Sequence, residues 1–255
     1  MDDFEFVDGY LDRIELPLIP SVDADSLMLL QTNHLRHVPY ENLDILEGDV
    51  PLNLDVDYLW DKIVRRKRGG ICYEQNILFA AVLEKLGFKV RRMAAHDPLL
   101  GANEFDHMFL LVDFPMLEET WVSDVGFEDN FFAPIKFRSD TWQSDLRDML
   151  KVDSMGHGVY DLVRRNSIGD EDALYEFNLS QHSDADYKPR CDYFATDPRS
   201  PLKRGPVISI DAPGGRKHLT RDKFRHFIDG EEFSVDVRNQ EHFDLLLRDE
   251  FGLER

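Results

Sequence analysis

The sequence predicts an α+β protein in which helices come first and short strands follow. Apolar residues recur at helical spacing in the first third of the chain, and short β-rich segments separated by turn residues fill the middle. The last third adds one strand–turn–helix unit. At 255 residues, 42% of them hydrophobic, the chain can bury a sizeable core and is typical of a globular protein.

The first helices are short and amphipathic. Residues 10–14 form an amphipathic segment that ends before Pro17. A second helix follows, for which either Asp23 or Asp25 can serve as the N-cap. Pro39 ends this helix, because proline cannot continue the hydrogen-bonded ladder.

The next segment predicts a helix, a break and a buried helix. Residues 56–64 have the apolar spacing of a third helix. Gly69 and Gly70 then break the helix and allow close approach between backbone segments. From Cys72 the chain is apolar on almost every side as far as Leu86, which indicates a buried helix with Gly87 as its C′ residue.

Strands are predicted in the rest of the chain. The candidates are residues 88–94, 108–112, 120–125, 175–179 and 207–210. Such short strands favour a small sheet or a barrel. The polar residues 180–190 are expected to form a surface linker, residues 213–215 a turn, and residues 242–251 a final helix.

Charge and cysteine content exclude several classes of protein. A net charge of −20 argues against binding to nucleic acid or to an anionic membrane, both of which require a basic face. The two cysteines, Cys72 and Cys191, do not form a disulfide scaffold. The first residues lack the features of a signal peptide, and the longest apolar run, near residues 77–83, is too short to span a bilayer. We therefore expect a cytoplasmic protein.

Cys72 is the first candidate for chemistry. It follows a Gly-Gly turn at the N-terminus of the predicted buried helix, where the helix dipole favours a thiolate. The cations of residues 65–68, just upstream, would favour the thiolate further if any of them turned inward. The alternative is that Cys72 is a small apolar residue of the core, as most free cysteines are.

A thiolate nucleophile needs a base and a group that orients the base. His107 begins an apolar strand, and Asp124 ends the next one just before a glycine. If these strands are antiparallel neighbours, the two side chains lie side by side. The alternative is a solvated or core histidine, and eight other histidines are candidates. The order of nucleophile, base and orienting group suits the papain- and transglutaminase-like architecture.

Several motifs resemble those of the arylamine N-acetyltransferase family, and the resemblance covers nearly the whole chain. The family's nucleophile signature is matched by Arg68-Gly69-Gly70-x-Cys72-x-Glu74-x-Asn76. Its signature around the orienting aspartate resembles Asp124-Val125-Gly126-Phe127 of this chain. The N-terminal motif resembles Tyr10-Leu11-Asp12-Arg13-Ile14, and the segment beneath the site resembles His34-x-x-His37-Val38-Pro39-Tyr40-Glu41-Asn42-Leu43. Four ordered motifs identify the family far more specifically than a lone Arg-Gly-Gly.

The resemblance implies a three-part fold with a cysteine-proteinase-like core. Residues 1–87 would form a helical bundle that carries the nucleophile, residues 88–190 a β-barrel that carries the histidine and aspartate, and residues 191–255 an α/β lid. The implied reaction is ping-pong transfer of an acetyl group from acetyl-CoA, through acetyl-Cys72, to an arylamine or arylhydrazine, or to the oxygen of an N-arylhydroxylamine. His107 would act as the base and Asp124 would orient it, with no metal or redox cofactor.

Further roles are implied by the resemblance alone. Arg13, Glu41 and Arg68 resemble a charged network that braces the active-site loop. Val125, Gly126 and Phe127 would contact the acceptor. Because CoA is anionic and the protein is acidic, local cations would have to bind it, and the candidates are Lys203, Arg204, Arg216 and Lys217. For these cations, ordinary packing and solvation are the alternative.

One segment departs from the family pattern. The family usually continues the aspartate motif with small, glycine-rich residues, whereas Glu128-Asp129-Asn130-Phe131-Phe132 follows here. This segment is expected to narrow or re-polarise the acceptor and CoA entrance, which leaves the choice of substrate open.

Three other functions compete with acetyl transfer from acetyl-CoA. One is an amide synthase-like acyltransferase of a biosynthetic pathway that takes a carrier-bound acyl donor. Another is a thiol hydrolase or transglutaminase-like enzyme with the same three residues. A non-catalytic binding protein is the third, and the presence of all of Cys72, His107 and Asp124 argues against it.

Overall fold

Helices dominate the first part of the chain, as the apolar spacing predicts. A computed structural model describes residues 1–48, 51–98, 100, 103–129, 131–166, 169–228 and 230–254. Its first helices are α1 (Asp3–Arg13), α2 (Ala24–His37), α3 (Leu43–Glu47), α4 (Val56–Trp60) and α5 (Cys72–Leu86). The short strand β1 (Tyr40–Glu41) separates α2 from α3, and a π-helical turn (Asp61–Arg65) continues α4.

Caps explain where these helices begin and end. Helix α1 starts earlier than predicted because Asp2 and Glu5 form a reciprocal capping box at its N-terminus. Asp23, rather than Asp25, caps α2 by accepting a hydrogen bond from the Ser26 N–H at 2.8 Å. Helix α5 begins at Cys72, as predicted, and ends at Gly87, whose φ of +98° is the left-handed conformation of a glycine C-cap.

The middle of the chain forms an antiparallel sheet of eight strands that is almost closed into a barrel. Its strands are β2 (Lys89–His96), β3 (His107–Phe114), β4 (Glu119–Ser123), β5 (Ile135–Lys136), β6 (Gln143–Ser144), β7 (Met149–Gly156), β8 (Val159–Arg165) and β9 (Glu171–Asn178), in the spatial order β5-β4-β3-β2-β9-β8-β7-β6. The two ends meet where the Gln143 side-chain amide accepts from the Lys136 N–H and donates to its carbonyl.

A second sheet follows the barrel. Its strands are β10 (Val207–Ala212), β11 (Gly215–Thr220), β12 (Lys223–Ile228) and β13 (Glu231–Asp236), and it packs against α7 (Gln240–Phe251). Strand β1 adds to its edge by pairing Tyr40 with Ser209, so that the sheet is attached to the helical part of the chain. The α+β class, with helices and a barrel, is therefore confirmed.

Two predictions for the C-terminal part were wrong. Residues 180–190 are not simply a linker, because α6 (Asp184–Thr196) begins within them at a Ser183–Asp186 capping box and buries Tyr187 and Cys191. This helix also runs through position 190, where the sequence predicted the boundary between the barrel and the lid. The last third contains four strands instead of one, since β11 to β13 alternate apolar residues with charged ones and their apolar runs are too short to stand out.

Candidate active site

Cys72 lies at a sharp, crowded turn into α5. A Cβ at Gly69 would overlap the carbonyl oxygen of Pro39, so only glycine fits this approach. Glu74 closes the start of the helix by accepting a hydrogen bond from the Ile71 N–H at 3.1 Å. The turn thus presents the buried Cys72 as the first residue of α5, where backbone N–H groups lack helical partners.

A buried ion pair supports this turn. The Lys62 ammonium lies 2.7 Å from Glu74 Oε1 and 2.8 Å from Asp44 Oδ2, and Lys62 and Glu74 have only 1% and 2% of their side chains exposed. Burial opposes the charge on Lys62, but the surrounding carboxylates outweigh it and raise its pKa above the ordinary value. Arg68 continues the network by binding both Glu41 and Asp44.

The predicted role of Arg13 in this network is wrong. Its guanidinium donates instead to the backbone carbonyls of Ile63 (2.9 Å), His37 and Lys67, so it ties helices together without touching Glu41. Burial lowers the pKa of Arg13 to about 10. Sequence reasoning missed the role of Lys62 because the four consecutive cations at residues 65–68 are the more prominent feature of this segment.

His107 and Asp124 are brought together by the pairing of β3 with β4. The two strands are antiparallel, with Leu110 opposite Ser123, so the first residue of β3 and the residue just after β4 lie at one end of the sheet. His107 Nε2 lies 2.6 Å from Asp124 Oδ2, and both side chains are buried. Since Nε2 faces the carboxylate, Nδ1 is the ring nitrogen left for Cys72, whose side chain interacts with the imidazole and helps to raise its pKa.

The surroundings of His107 favour its charged form. Burial alone would lower the pKa of the imidazole, but the Asp124 carboxylate and the Cys72 side chain outweigh it and raise the pKa to about 10. Two aromatic rings hold the imidazole in place, since Phe127 and Tyr175 each lie 5.1 Å from it, centroid to centroid. A protonated imidazole beside a sulfur is the arrangement that stabilises a thiolate.

Asn76 orients the aspartate, a role that sequence reasoning did not assign. Its amide nitrogen donates to Asp124 Oδ1 at 2.9 Å and to the Met108 carbonyl at 2.7 Å, while its oxygen accepts from the Val125 N–H at 3.2 Å. Asn76 is four residues after Cys72, which puts both on one face of α5. This spacing was the feature of the sequence from which a role for Asn76 next to the nucleophile could have been predicted.

Cys72 and His107 line a cavity of about 540 Å³. Its apolar walls are Pro98, Leu100, Phe127, Ala173, Leu174, Phe194 and Leu202, and its polar walls include Tyr40, Asp97, Asp106, Glu128, Asp129, Arg164 and Asp172. Of the three predicted acceptor contacts, Gly126 and Phe127 line this cavity, whereas the Val125 side chain packs in the helical core.

Comparison with known proteins agrees with this geometry. A family model described as N-acetyltransferase matches residues 23–254. The arylamine N-acetyltransferase of Escherichia coli (strain K12) is 31% identical over 96% of this chain and 87% of its own length. The chain belongs to the arylamine N-acetyltransferase family.

Solved structures of the family superpose closely on the fold. The arylamine N-acetyltransferase of Mycobacterium marinum gives a TM-score of 0.90 at 30% identity, covering 96% of this chain and 92% of that one. The same M. marinum protein in complex with CoA gives 0.89 at 29% identity with the same coverage. The Salmonella typhimurium relative, named as an arylamine N-acetyltransferase and N-hydroxyarylamine O-acetyltransferase, is 29% identical over 97% of this chain and 89% of its own length.

Within the part of the chain that the structure describes, no helix has the length and apolarity needed to cross a membrane. Among those same residues, there is no cluster of three or more His, Cys, Asp or Glu side chains that could coordinate a metal ion.

Four cations were expected to bind CoA from the resemblance to the family. None of them lines this cavity, as far as the structure describes it: Lys203, Arg204, Arg216 and Lys217. Arg216 is buried and binds Asp129 and Asp211, and Lys217 pairs with Glu250. Lys203 and Arg204 directly follow Leu202, which lines the cavity, and Arg204 is exposed.

The acidic segment that departs from the family pattern is held between the barrel and the second sheet. Asp129 binds Arg164 of β8 at 2.6 Å and Arg216 of β11 at 2.9 Å. The Glu128 carbonyl accepts from Ser209 Oγ at 2.7 Å and from Arg216 Nη1 at 3.1 Å. Asn130 lies outside the described residues. The acidic loop (Glu128 and Asp129) is therefore a fixed part of the cavity wall.

Gly126 leaves no room for a side chain. A Cβ at this position would lie 2.6 Å from the Cys72 Cα and 2.7 Å from the Asn76 amide nitrogen. Gly126→Ala is expected to displace Cys72 from His107 and to lower the rate of acetyl transfer by roughly 100-fold, because small misplacements of reacting groups are costly. Rapid-quench measurement of the first turnover checks this. Gly205→Ala, where a Cβ meets nothing within 4 Å, is the matched control, and an equal loss in both variants would contradict the steric explanation.

Proposed function

We propose that the chain transfers the acetyl group of acetyl-CoA to the nitrogen of an arylamine or arylhydrazine, through an acetyl-Cys72 intermediate. One observation carries the proposal: His107, hydrogen-bonded to Asp124, lines the same cavity of about 540 Å³ as Cys72, whose side chain interacts with its imidazole. The names of the relatives, and the CoA bound to the M. marinum protein, support the choice of donor and acceptor.

In the first half-reaction, the Cys72 thiolate attacks the thioester carbonyl carbon of acetyl-CoA. The bond between that carbon and the CoA sulfur breaks, and the departing CoA thiolate takes the proton held by the His107 imidazolium. The backbone N–H of Cys72, at the start of α5, is directed to stabilise the oxyanion that forms on the carbonyl oxygen. The products are acetyl-Cys72 and CoA.

In the second half-reaction, the acceptor nitrogen attacks the acetyl carbonyl carbon. His107 Nδ1 takes a proton from that nitrogen, and the Cys72 sulfur leaves as a thiolate, so the starting pair is restored. Asp124 keeps the proton on Nε2 and stabilises the imidazolium. For an N-arylhydroxylamine the same steps place the acetyl group on oxygen.

For CoA, the proposal relies on Lys203 and Arg204. Both follow a residue of the cavity wall, and cations there can meet the phosphates of a ligand whose thioester reaches Cys72. Arg216 and Lys217 contribute less, because carboxylates already bind them.

Intact-mass measurement tests the intermediate. With acetyl-CoA alone, the protein is expected to gain one acetyl group, about 42 Da, which an added arylamine removes as it is acetylated. Cys72→Ala should gain nothing. Cys191→Ala is the matched control and should gain the full adduct, since Cys191 is buried and burial raises the pKa of its thiol. Absence of any adduct from acetyl-CoA in the wild-type protein would overturn the proposal.

The same measurement separates a second candidate. An acyltransferase that takes a carrier-bound acyl group is favoured by one observation, the two carboxylates of the acidic loop at a cavity that would have to admit anionic CoA. A Cys72 adduct formed from an acylated phosphopantetheine carrier protein, with none from acetyl-CoA, would support that function instead.

A further inference from the structure

The wall of the reaction cavity carries an excess of carboxylates. Those that line it are Asp97, Asp106, Glu128, Asp129 and Asp172, whereas Arg164 is the one arginine or lysine in the lining that the structure describes. An acceptor that enters the cavity therefore approaches a negatively charged wall, and its own charge affects how well it binds.

Two of these carboxylates are neutralised by arginines. Asp106 binds Arg190, whose Nε lies 2.8 Å from Oδ1. Asp129 binds both Arg164 and Arg216, so the arginine of the cavity lining is itself occupied. Neither carboxylate offers its full charge to a ligand.

Glu128 differs from its neighbour in that its ion-pair partner is a histidine; burial and Asp129 raise the pKa of its carboxyl above the ordinary value, and Arg216 opposes that rise. The Glu128 side chain is 48% exposed, and His218 Nδ1 lies 3.9 Å from its Oε1. Burial, aided by Arg216, lowers the pKa of His218 to about 4, so this histidine is neutral at neutral pH and does not offset the Glu128 charge.

The position of Glu128 is fixed near the reacting groups. Ser209 and Arg216 hold its backbone carbonyl, and Asp129 is held on both sides. Tyr40, Cys72, His107 and Glu128 all line the one cavity of about 540 Å³. Glu128 therefore faces the same space that an acceptor must occupy to reach the nucleophile.

We propose that Glu128 selects the acceptor by charge, favouring arylamines that carry a cationic group over those that carry a carboxylate. The apolar walls at Phe127, Leu174 and Phe194 suit the aromatic ring of such an acceptor, and the Glu128 carboxylate suits a cation attached to it. This inference rests on the proposed function and names the class of acceptor for it.

Three acceptors of similar size test the charge preference. They are (4-aminobenzyl)trimethylammonium, its uncharged carbon analogue 4-neopentylaniline, and the anion 4-aminophenylacetate. The quaternary nitrogen cannot be acetylated, so the aniline nitrogen is the single acceptor in each. The measured quantity is kcat/KM for each acceptor with acetyl-CoA as donor, which in a ping-pong reaction reports the second half-reaction alone.

The wild-type protein is expected to have a higher kcat/KM for the cationic acceptor than for the anionic one. Glu128→Gln is expected to reduce the ratio of these two values by roughly tenfold, because the carboxylate no longer attracts the cation or repels the anion. Glu118→Gln is the matched control, since it makes the same charge change at an exposed turn outside the cavity lining and should preserve the ratio. Comparing acceptors within one variant cancels any effect of the substitution on Cys72 itself.

The outcomes separate the inference from the function on which it rests. Turnover with an unchanged ratio in Glu128→Gln, or a wild-type preference for the anion, would overturn the inference alone. If no arylamine of any charge accepted the acetyl group, the proposed function would be overturned and the inference with it.

Discussion

Replacing Asp124 with Asn is expected to slow the acylation of Cys72 by acetyl-CoA by roughly 10³- to 10⁴-fold at neutral pH, the loss typical when a histidine base loses its carboxylate. The Asn oxygen can still accept from Asn76 and Gly126, so the local hydrogen bonds to Oδ1 are kept. The Asn amide, however, faces His107 Nε2 and requires that nitrogen to be an acceptor. The proton then stays on Nδ1, where it blocks transfer from the thiol.

The pH dependence of acylation separates this explanation from a general loss of structure. In the wild-type protein His107 has its pKa raised to about 10, so the imidazolium beside Cys72 persists across neutral pH and is lost as the pH rises through that value. Folding stability depends on pH in the same direction. The contribution of the His107–Asp124 pair to the free energy of unfolding is complete below about pH 6.5, the pKa of histidine in the unfolded chain, and disappears as the pH rises through about 10.

Single-turnover acylation rates between pH 6 and 9 provide the measurement. We expect a nearly flat profile for the wild-type protein, because this range lies below the His107 pKa of about 10, and for Asp124→Asn a rate that climbs with pH as the thiolate forms without an imidazolium beside it. Asp113→Asn is the matched control, because it removes an ion-paired carboxylate from the same strand, β3, away from His107. A flat profile at full rate in Asp124→Asn would contradict the assigned role.

Replacing Lys62 with Met is expected to lower the free energy of unfolding by about 3–5 kcal/mol, the typical cost of leaving a buried ion pair with one member. Glu74 would remain 2% exposed beside Glu41 with its cation gone. Burial already raises the pKa of Glu74, and loss of Lys62 would raise it further. Since Glu74 also accepts from the Ile71 N–H, the turn that presents Cys72 would loosen as well.

Urea unfolding of the full chain measures this effect. Lys89→Met, which removes an exposed lysine, is expected to change the free energy of unfolding by no more than about 0.5 kcal/mol. In the double variant Lys62→Met with Glu74→Gln, the loss should be smaller than the sum of the two single losses, because the second substitution removes the stranded charge. Additive losses would show that the pair contributes little.

Much of the site was predictable because its signals are local. A glycine pair before an apolar helix predicted the turn at Cys72, and the structure begins α5 at that residue. Two apolar strands close in sequence predicted that His107 and Asp124 would meet, and the pairing of β3 with β4 brings them to 2.6 Å. Their catalytic roles stay predictions until the measurements above are made.

Other features depend on contacts that local patterns do not contain. The capping box of α6 is visible in the sequence, but the burial of Tyr187 on that helix results from packing against Tyr73 and Phe105. Arg216 was a candidate for binding CoA, yet in the folded chain it lies between Asp129 and Asp211. A run of charges gives no indication of which members will find a partner elsewhere.

By itself, then, the sequence determined the α+β class, the start of the buried helix at Cys72, and the candidate base and orienting group. Only the tertiary structure decided that Lys62 holds Glu74, that Asn76 orients Asp124, and that Glu128 is fixed in the cavity wall. The reason is physical: hydrophobic periodicity reports which face of an element is buried, whereas the partner of a buried charge is set by packing between segments distant in the chain.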